Sequence, residues 1–307
     1  MQARGGAKAR AALRRLRSAT WVNRAVVPGL RATSTTLAEL SAYLELHGIH
    51  QGHVEVSLPS GELLRLWADK EDVLANMLWW RGWDGYETAS TRTWVSLAMN
   101  ARLVIDVGAN AGVFALLAAA SNPGANVIAF EPNPASFSLL TRNVALNPRA
   151  RVTCVNAAVT EVEGTVTLYA DAGEPFDLRA SIVPGARPDA PASGVRQEEC
   201  AAINLDAYLQ REGVAHVDLV KIDVEGAEPL VLAGMKQVLA RDRPDILVEI
   251  LNTDVAQAVG TVVAEHGYSH FLMTSDGPVA TETVAPHPRC LNHLLTTRPV
   301  SEVQRLG

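Results

Sequence analysis

"RLVIDVGANAGVFALLAAAS" (residues 102–121) carries the pattern that decides the fold of this chain. The run begins as a short apolar segment, interrupted by Asp106, that is typical of a buried strand. Gly108 and Gly112 follow with small residues between them, and the sequence then becomes apolar and rich in alanine. Glycine lets the backbone turn tightly and approach a ligand closely. The stretch therefore predicts a strand, a glycine loop and a helix whose N-terminus, near Ala111, faces a ligand.

The alternation of strand and helix continues toward the C-terminus. Patterns typical of helices occupy residues 134–147 and 227–241, and further apolar runs are "NVIAFEP" (126–132), "RVTCVNAAV" (151–159), "VDLVKIDV" (217–224) and "PDILVEI" (244–250). Continuously apolar strands separated by helices are typical of a parallel sheet that is buried on both faces. We therefore expect an α/β fold, with "YSHFLM" (268–273) and "NHLLTTR" (292–298) as two final strands.

The residues before this pattern predict an N-terminal extension, residues 1–95, ahead of a catalytic domain, residues 96–307. Residues 1–50 have a helical pattern, residues 53–67 alternate around Pro-Ser-Gly as a β-hairpin does, and residues 70–99 read as two helices around a glycine turn. We expect this extension to cover a substrate or to form a homodimer contact. Within the catalytic domain, residues 164–170 predict an extra strand. Residues 171–199 show no period, which indicates a substrate lid or a surface insertion.

Composition excludes several classes of protein. The net charge of −6 argues against a nucleic-acid surface, which needs clustered Lys and Arg. The first 24 residues contain seven basic residues and no acid, so they form a solvated basic helix, a membrane-surface helix or a transit peptide. No apolar window is long enough to span a membrane. Three separated cysteines indicate neither disulfides nor zinc, and we expect a cytoplasmic protein.

Polar or small residues follow each of the first four strands, at the end of the sheet where α/β proteins bind ligands. They are Asp106–Gly112, Glu131–Asn133, Asn156–Ala158 and Asp223–Glu225. A carboxylate such as Glu131 at the end of the second strand binds the ribose of a nucleoside. The loop "GANAGVF" has Asn110 where a dinucleotide fingerprint has its second glycine. The loop is therefore poorly suited to bind the pyrophosphate of a dinucleotide. S-adenosylmethionine fits better, and an NAD-type oxidoreductase is the alternative.

Five motifs in this order resemble the FkbM family of S-adenosylmethionine-dependent methyltransferases. They are "VIDVGANAGVFALLAA" (104–119), "VIAFEPNPASFSLLTRNVALN" (127–147), "VNAAVTEVEGTVTLY" (155–169), "INLDAYL" (203–209) and "VDLVKIDVEGAEPLVLAG" (217–234). The resemblance covers about residues 80–300, and it departs from the family pattern at Asn204, where Thr is commoner. It implies a Rossmann-like class I methyltransferase with a seven-stranded sheet whose last strand is antiparallel.

The resemblance also implies a binding site for S-adenosyl-L-methionine. Glu131 would hold the ribose with Asn133 beside it, and Asn156 and Ala157 would border the adenine. The methionine part would be held by the loop residues Asp106, Gly108, Ala109, Asn110 and Gly112. Known members of the family methylate hydroxyls of polyketides, sugars and related metabolites, which implies an O-methyltransferase of secondary metabolism with a small-molecule acceptor. Methylation of a carboxyl or an amine, and a nucleoside-binding protein without activity, are the alternatives.

Three acids follow the fourth strand, and methyl transfer to a hydroxyl needs a base or a metal. We expect Asp223 to contact the cofactor or the acceptor and Glu225 to accept the hydroxyl proton or to position the acceptor, whereas Glu228 caps the next helix. In the alternative, Asp223 and Glu225 only cap that helix as well. A Mg²⁺ site formed by Asp223, Glu249 and Asn252 is a second alternative; we predict no metal. His293 is a weaker candidate base.

Overall fold

The computed structural model describes residues 52–68, 73–173, 177–186 and 194–306. The helical pattern predicted for residues 1–50 lies outside these residues. The chain divides into two compact units, and the division falls between Tyr86 and Glu87. In the first unit, β1 (Gly52–Ser57) and β2 (Leu63–Ala68) pair as an antiparallel hairpin, followed by α1 (Val73–Arg81). The predicted hairpin is therefore confirmed.

The second unit has strands and helices in the alternating order that the sequence predicts. Its helices are α2 (Thr88–Ala98), α3 (Val113–Ser121), α4 (Pro134–Ala145), α5 (Leu205–Arg211), α6 (Glu228–Gly234), α7 (Lys236–Arg241), α8 (Thr253–His266) and α9 (Val300–Val303). Its strands are β3 (Leu103–Val107), β4 (Asn126–Phe130), β5 (Val152–Val155), β6 (Ala158–Thr160), β7 (Gly164–Asp171), β8 (Val195–Asn204), β9 (Leu219–Ile222), β10 (Asp245–Glu249), β11 (Ser269–Thr274), β12 (Gly277–Ala280) and β13 (Asn292–Thr296).

The main sheet has the strand order β12-β11-β13-β10-β9-β3-β4-β5. Strands β5, β4, β3, β9 and β10 are parallel, and β13 runs antiparallel between β10 and β11. The predicted class I arrangement, with an antiparallel last strand, is confirmed. The number of strands was wrong, because among the described residues the sheet has eight strands instead of seven. The added strand, β12, pairs with β11 through the tight turn before Gly277.

Local sequence explains where several helices begin. The Asn133 side chain accepts hydrogen bonds from the backbone amides of Ala135 and Ser136, and Pro134 occupies the first turn of α4. Asn204 caps α5 in the same way by accepting a bond from Ala207. Asparagine is among the best residues at this position, which explains how the chain accommodates the departure from threonine.

The core lies between the main sheet and its helices. Ile105, Val220 and Ile246 point to one face of the sheet and pack in a cluster with α5, α6, α7 and α8. On the other face α2 and α3 pack together, and the fully buried Trp94 donates a 2.9 Å hydrogen bond to the Phe114 carbonyl. Removing the apolar side chains of both faces from water is the main stabilising contribution to this arrangement.

A small second sheet has the order β6-β8-β7. The extra strand predicted at residues 164–170 is present as β7. The stretch predicted to be irregular, residues 171–199, is shorter than expected, because Val195–Glu199 belong to β8 and pair along β7. Alternation of exposed and half-buried residues in β8 conceals the strand in the sequence. Among the described residues there is no helix of the length and apolar character that crossing a bilayer requires.

Candidate active site

The carboxyl ends of β3, β4, β9 and β10 form one edge of the main sheet, which we call the carboxyl edge. The chain proceeds from β3 outward to β4 and β5, and later returns on the other side of β3 to form β9 and β10. The strand order therefore reverses between β3 and β9, and such a reversal opens a crevice in which α/β proteins bind ligands. The predicted site residues Asp106, Glu131 and Asp223 all lie at this edge.

The glycine loop between β3 and α3 approaches the end of β9 closely. Gly108 has a φ of +80°, and a Cβ at this position would lie 1.8 Å from the Asp223 carbonyl oxygen. The backbone amides of Gly108 and Ala109 both donate to the Phe130 carbonyl, at 3.0 and 2.9 Å. Only glycine meets both the left-handed conformation and the contact, so the loop is held against the backbone of two neighbouring strands.

Glu131 connects the glycine loop to the end of β4. Its carboxylate accepts 2.8 Å hydrogen bonds from the backbone amides of Asn110 and Asn133. Burial raises the pKa of Glu131 to about 7, although these two amides oppose the shift. Each carboxylate oxygen can accept a second bond, so Glu131 is fixed in position and still has acceptor capacity for a ligand hydroxyl.

Asp106 is buried on β3, with 1% of its surface exposed, and neither carboxyl oxygen is within hydrogen-bonding geometry of a partner among the described residues, although the backbone amide of Ala115 is close enough to lower its pKa. Burial raises its pKa to about 6, whereas the neighbouring Lys221 ammonium lowers it. Buried polar groups are nearly always hydrogen-bonded, and the exceptions mark strained or functional positions. Asp106 is therefore a candidate for contact with a cationic or donor group of a ligand.

Lys221, which looks anomalous inside an apolar strand, is paired. It is 3% exposed and donates a 2.6 Å hydrogen bond to Asp223, and its Nζ lies 4.5 Å from the centre of the Phe114 ring. Burial lowers the pKa of Lys221, but the carboxylates of Asp223, Asp106 and Glu87 outweigh that effect and raise it. Lys221 therefore remains charged beneath the carboxyl edge.

Three carboxylates meet beyond Lys221. Asp223, Glu225 and Glu249 each place an oxygen within 4.8 Å of the other two, and we call these residues the acid cluster. Strand register produces the meeting, since Val248 pairs with Ile222 and the next residue of each strand is Glu249 or Asp223. Burial, followed by repulsion from Asp223 and Glu228, raises the pKa of Glu225 to about 8. Burial, Asp223 and Glu225 raise the pKa of Glu249 even further.

Glu228 has a separate structural task. It is fully buried, and one oxygen accepts hydrogen bonds from the backbone amides of Val224 and Gly226, at 3.1 and 3.2 Å. It therefore holds the turn in which Glu225 adopts a φ of +56°. Among the described residues, the start of α6 has no side-chain cap, so helix capping does not explain Asp223 and Glu225.

Of the other predicted site residues, Asn156 and Ala157 lie beside β4, whereas Asn252 and His293 lie outside the acid cluster. The Asn156 amide donates to the Glu131 carbonyl at 2.7 Å, which places it and the buried Ala157 beside β4. Asn252 is not in the acid cluster, because its side-chain oxygen caps α8 through the Val255 amide. His293 stacks on His270 with ring centres 5.0 Å apart. It follows Asn292, the partner of Glu249, and so points to the opposite face of the sheet.

Sequence reasoning missed Arg179, which lies in the irregular stretch. Its charge lowers the pKa of Glu225, against the stronger effect of burial. The segment that contains Arg179 is bound to β7, because Ser181 pairs with Tyr169 and the Asp177 carboxylate accepts a 2.7 Å hydrogen bond from the Asp171 amide. At Gly226 an added Cβ would lie 3.8 Å from Ala186. No local pattern connects this stretch to the turn after β9, so only the tertiary structure reveals the proximity.

Comparison with known proteins identifies the family. Residues 106–270, which are more than half of the chain, match the family described as the methyltransferase FkbM domain. The chain belongs to the FkbM methyltransferase family. The predicted family is thereby confirmed, and the protein is a methyltransferase. The matched residues begin at Asp106 and include every member of the acid cluster.

Similarity to individual FkbM relatives is partial. The chain is 32% identical over 200 residues to 31-O-demethyl-FK506 methyltransferase FkbM of Streptomyces tacrolimicus, covering 54% of this chain and 72% of the relative. It is 26% identical over 148 residues to 2-O-methyltransferase NoeI of Sinorhizobium fredii, covering 46% and 60%. A crystal structure of methyltransferase FkbM from Methylobacillus flagellatus aligns with a TM-score of 0.42 and 14% identity, covering 63% of this chain and 43% of that one.

Proposed function

We propose that the chain transfers a methyl group from S-adenosylmethionine to a hydroxyl of a small molecule, such as a polyketide or a glycoside. The observation that carries this proposal is the meeting of Asp106, Glu131 and the acid cluster at the carboxyl edge of an FkbM domain. The two relatives named above are both O-methyltransferases by name, which supports a hydroxyl acceptor.

The residues at the carboxyl edge fit S-adenosylmethionine. Among the described residues, the buried oxygens of Asp106 have no hydrogen-bond partner, so they can accept the ammonium of its methionine part. Glu131 can accept the ribose hydroxyls, with Asn133 beside it, while Asn156 and Ala157 border the adenine. When bound, the cofactor supplies a methyl group on a sulfonium. Acidic residues around the crevice favour that positive charge.

The protein's own contribution to transfer is alignment and proton removal. Asp223 is held by Lys221 and orients the acceptor, and Glu225 on the adjoining turn accepts the hydroxyl proton. A base works best when its pKa lies near the operating pH, and burial raises the pKa of Glu225 to about 8. A positioned base contributes a factor of about 10² to 10⁴ in rate.

Two further roles are proposals. Residues 1–95 would cover the acceptor or form a homodimer contact, which light scattering of the full chain and of a shortened chain would distinguish. The segment 177–186 would select the acceptor through Arg179. Arg179→Gln should change the KM for the acceptor and leave S-adenosylhomocysteine binding unchanged.

The free cysteines fit a cytoplasmic location, which cell fractionation would test.

Calorimetric titration tests the proposed function directly. S-adenosylhomocysteine should bind with one site per chain, and NAD should not bind. Transfer of labelled methyl from S-adenosylmethionine to a panel of hydroxylated macrolactones and glycosides then tests the acceptor class. Absence of S-adenosylhomocysteine binding would overturn the cofactor assignment. Methylation only of amines or carboxyls would overturn the hydroxyl assignment.

A further inference from the structure

When its three carboxyls are ionised, the acid cluster holds more negative charge than its neighbours balance. Among the described residues, one cation is in contact with its three carboxylates, namely Lys221, which bonds to Asp223. Lys221 also lies near Asp106 and Glu87 and is shared with them. Arg179, which is exposed, is also close to Glu225. Partly buried like charges are costly unless a counter-charge or hydrogen bonds satisfy them.

Glu249 provides a second, separate observation. It is only 7% exposed, and its Oε2 has no hydrogen-bond partner among the described residues. The carboxylate is nevertheless directed toward Asp223 and Glu225. Buried acceptors in folded proteins nearly always have a donor or an ion as their partner. A capping role does not supply the donor, because Glu249 ends a strand.

The spacing of the acid cluster suits a metal ion. Three oxygens that all lie within 4.8 Å of one another leave a point within about 2.8 Å of each, close to the 2.3–2.6 Å of Ca²⁺ ligands. Mg²⁺ and Mn²⁺ need shorter distances of about 2.0–2.2 Å, which small rotations of the Glu225 and Glu249 side chains would provide. Oxygen ligands favour such hard cations over zinc or copper.

We propose that Asp223, Glu225 and Glu249 form a binding site for one hard divalent cation, Mg²⁺, Mn²⁺ or Ca²⁺, at the acceptor side of the carboxyl edge. The ion gives the unpartnered oxygen of Glu249 a partner. It also balances the negative charge of the acid cluster that Lys221 does not neutralise. This proposal departs from the expectation of no metal site, and in it Glu225 takes the place of Asn252 in the ligand set that the sequence offered as an alternative.

The role of the ion rests on the proposed function. A hydroxyl bound to a divalent cation loses its proton at lower pH, since the ion stabilises the alkoxide. Glu225 binds the ion through one oxygen and keeps the other for the hydroxyl proton. An acceptor with two adjacent oxygens, such as a vicinal diol or a hydroxy ketone, would bind the ion through both. The site thus favours acceptors of this class over isolated alcohols.

The test is a titration of the EDTA-treated full chain with MnCl₂, with free Mn²⁺ followed by its electron paramagnetic resonance signal. We expect one saturable Mn²⁺ site per chain, competed by MgCl₂ or CaCl₂. Glu249→Gln, Glu225→Gln and Asp223→Asn should each weaken Mn²⁺ binding at least tenfold. Glu265→Gln, an exposed position on α8, is the matched control and should bind as the wild type does.

The outcomes separate this proposal from the proposed function. No saturable Mn²⁺ binding by the wild type, or unchanged binding by Glu249→Gln and Glu225→Gln, overturns the metal site, whether or not S-adenosylhomocysteine binds. Mn²⁺ binding without S-adenosylhomocysteine binding overturns the cofactor assignment alone. If Glu249→Gln fails to fold, the half-buried Glu225→Gln and the wild-type titration still decide the question.

Discussion

Asp106 and Lys221 occupy paired positions on adjacent parallel strands, β3 and β9. Both side chains are buried, and the Lys221 ammonium bonds to Asp223 at the end of its strand. One lysine therefore lies between an aspartate on the side of the glycine loop and the acid cluster. In the proposed function, the cofactor would bind on the side of the glycine loop and the acceptor on the side of the acid cluster.

The Gly108 contact predicts a large loss of stability. Gly108→Ala should lower the free energy of unfolding by about 3 kcal/mol or more, because the new Cβ would collide with the Asp223 carbonyl in a left-handed conformation. Gly213→Ala is the control: its φ is +67° and its Cβ would meet nothing within 4 Å. It should cost only about 1 to 2 kcal/mol. Urea denaturation measures both, and equal losses would contradict the steric argument.

Glu131 predicts a loss of cofactor affinity. In Glu131→Gln one oxygen becomes a donor that cannot accept from the backbone amide of Asn110 or Asn133 or from a ribose hydroxyl. Losing a charged hydrogen bond should weaken S-adenosylhomocysteine binding about tenfold to a hundredfold. Calorimetric titration at constant pH measures the change. Wild-type affinity in a folded variant would remove Glu131 from the cofactor site.

Glu225 predicts a loss of turnover without a loss of cofactor binding. Glu225→Gln should lower the rate of methyl transfer tenfold or more and leave S-adenosylhomocysteine affinity unchanged. With divalent cations removed by EDTA, the wild-type rate should rise with pH through about 8, because Glu225 must then lose its proton to act as a base. The variant should lack this rise, and Glu265→Gln should retain it. A variant with the wild-type profile would show that another group removes the proton.

Glu249 predicts how stability depends on pH in EDTA. Burial and two neighbouring carboxylates raise the pKa of Glu249 far above the 4.5 expected for the unfolded chain, so the folded state holds the proton more tightly. This stabilisation is complete below pH 4.5 and is lost as the pH rises toward the folded-state pKa. Wild-type stability should therefore fall between about pH 5 and about pH 9, by at most about 1.4 kcal/mol per pH unit for this group.

Glu249→Gln isolates that contribution, because glutamine stays neutral at every pH. The variant should be less sensitive to pH than the wild type and should be the more stable of the two at about pH 9. Urea denaturation at several pH values measures the difference. Parallel curves for the two proteins would mean that Glu249 does not hold its proton in the folded state.

Local sequence accounts for much of the fold. The strands β3, β4, β9 and β10 are visible because parallel strands buried on both faces must be apolar throughout. The glycine loop is visible because a left-handed turn against another backbone excludes side chains, as at Gly108. The strands β8 and β12 are not visible in this way, since β8 is half exposed along its length and β12 is short and follows a turn.

The residues of the candidate site also differ in whether the sequence could predict them. Asp106, Glu131, Asp223 and Glu225 could be selected from the sequence because each lies within three residues of the end of an apolar strand. Glu249 and Arg179 could not be assigned to Glu225 in this way, because strand register and the path of the chain after β7 bring them together. By itself, the sequence determined which residues lie at the ends of strands, since that depends on local periodicity. Only the tertiary structure decided which of these charges meet, because electrostatic interaction depends on distance in space and on burial.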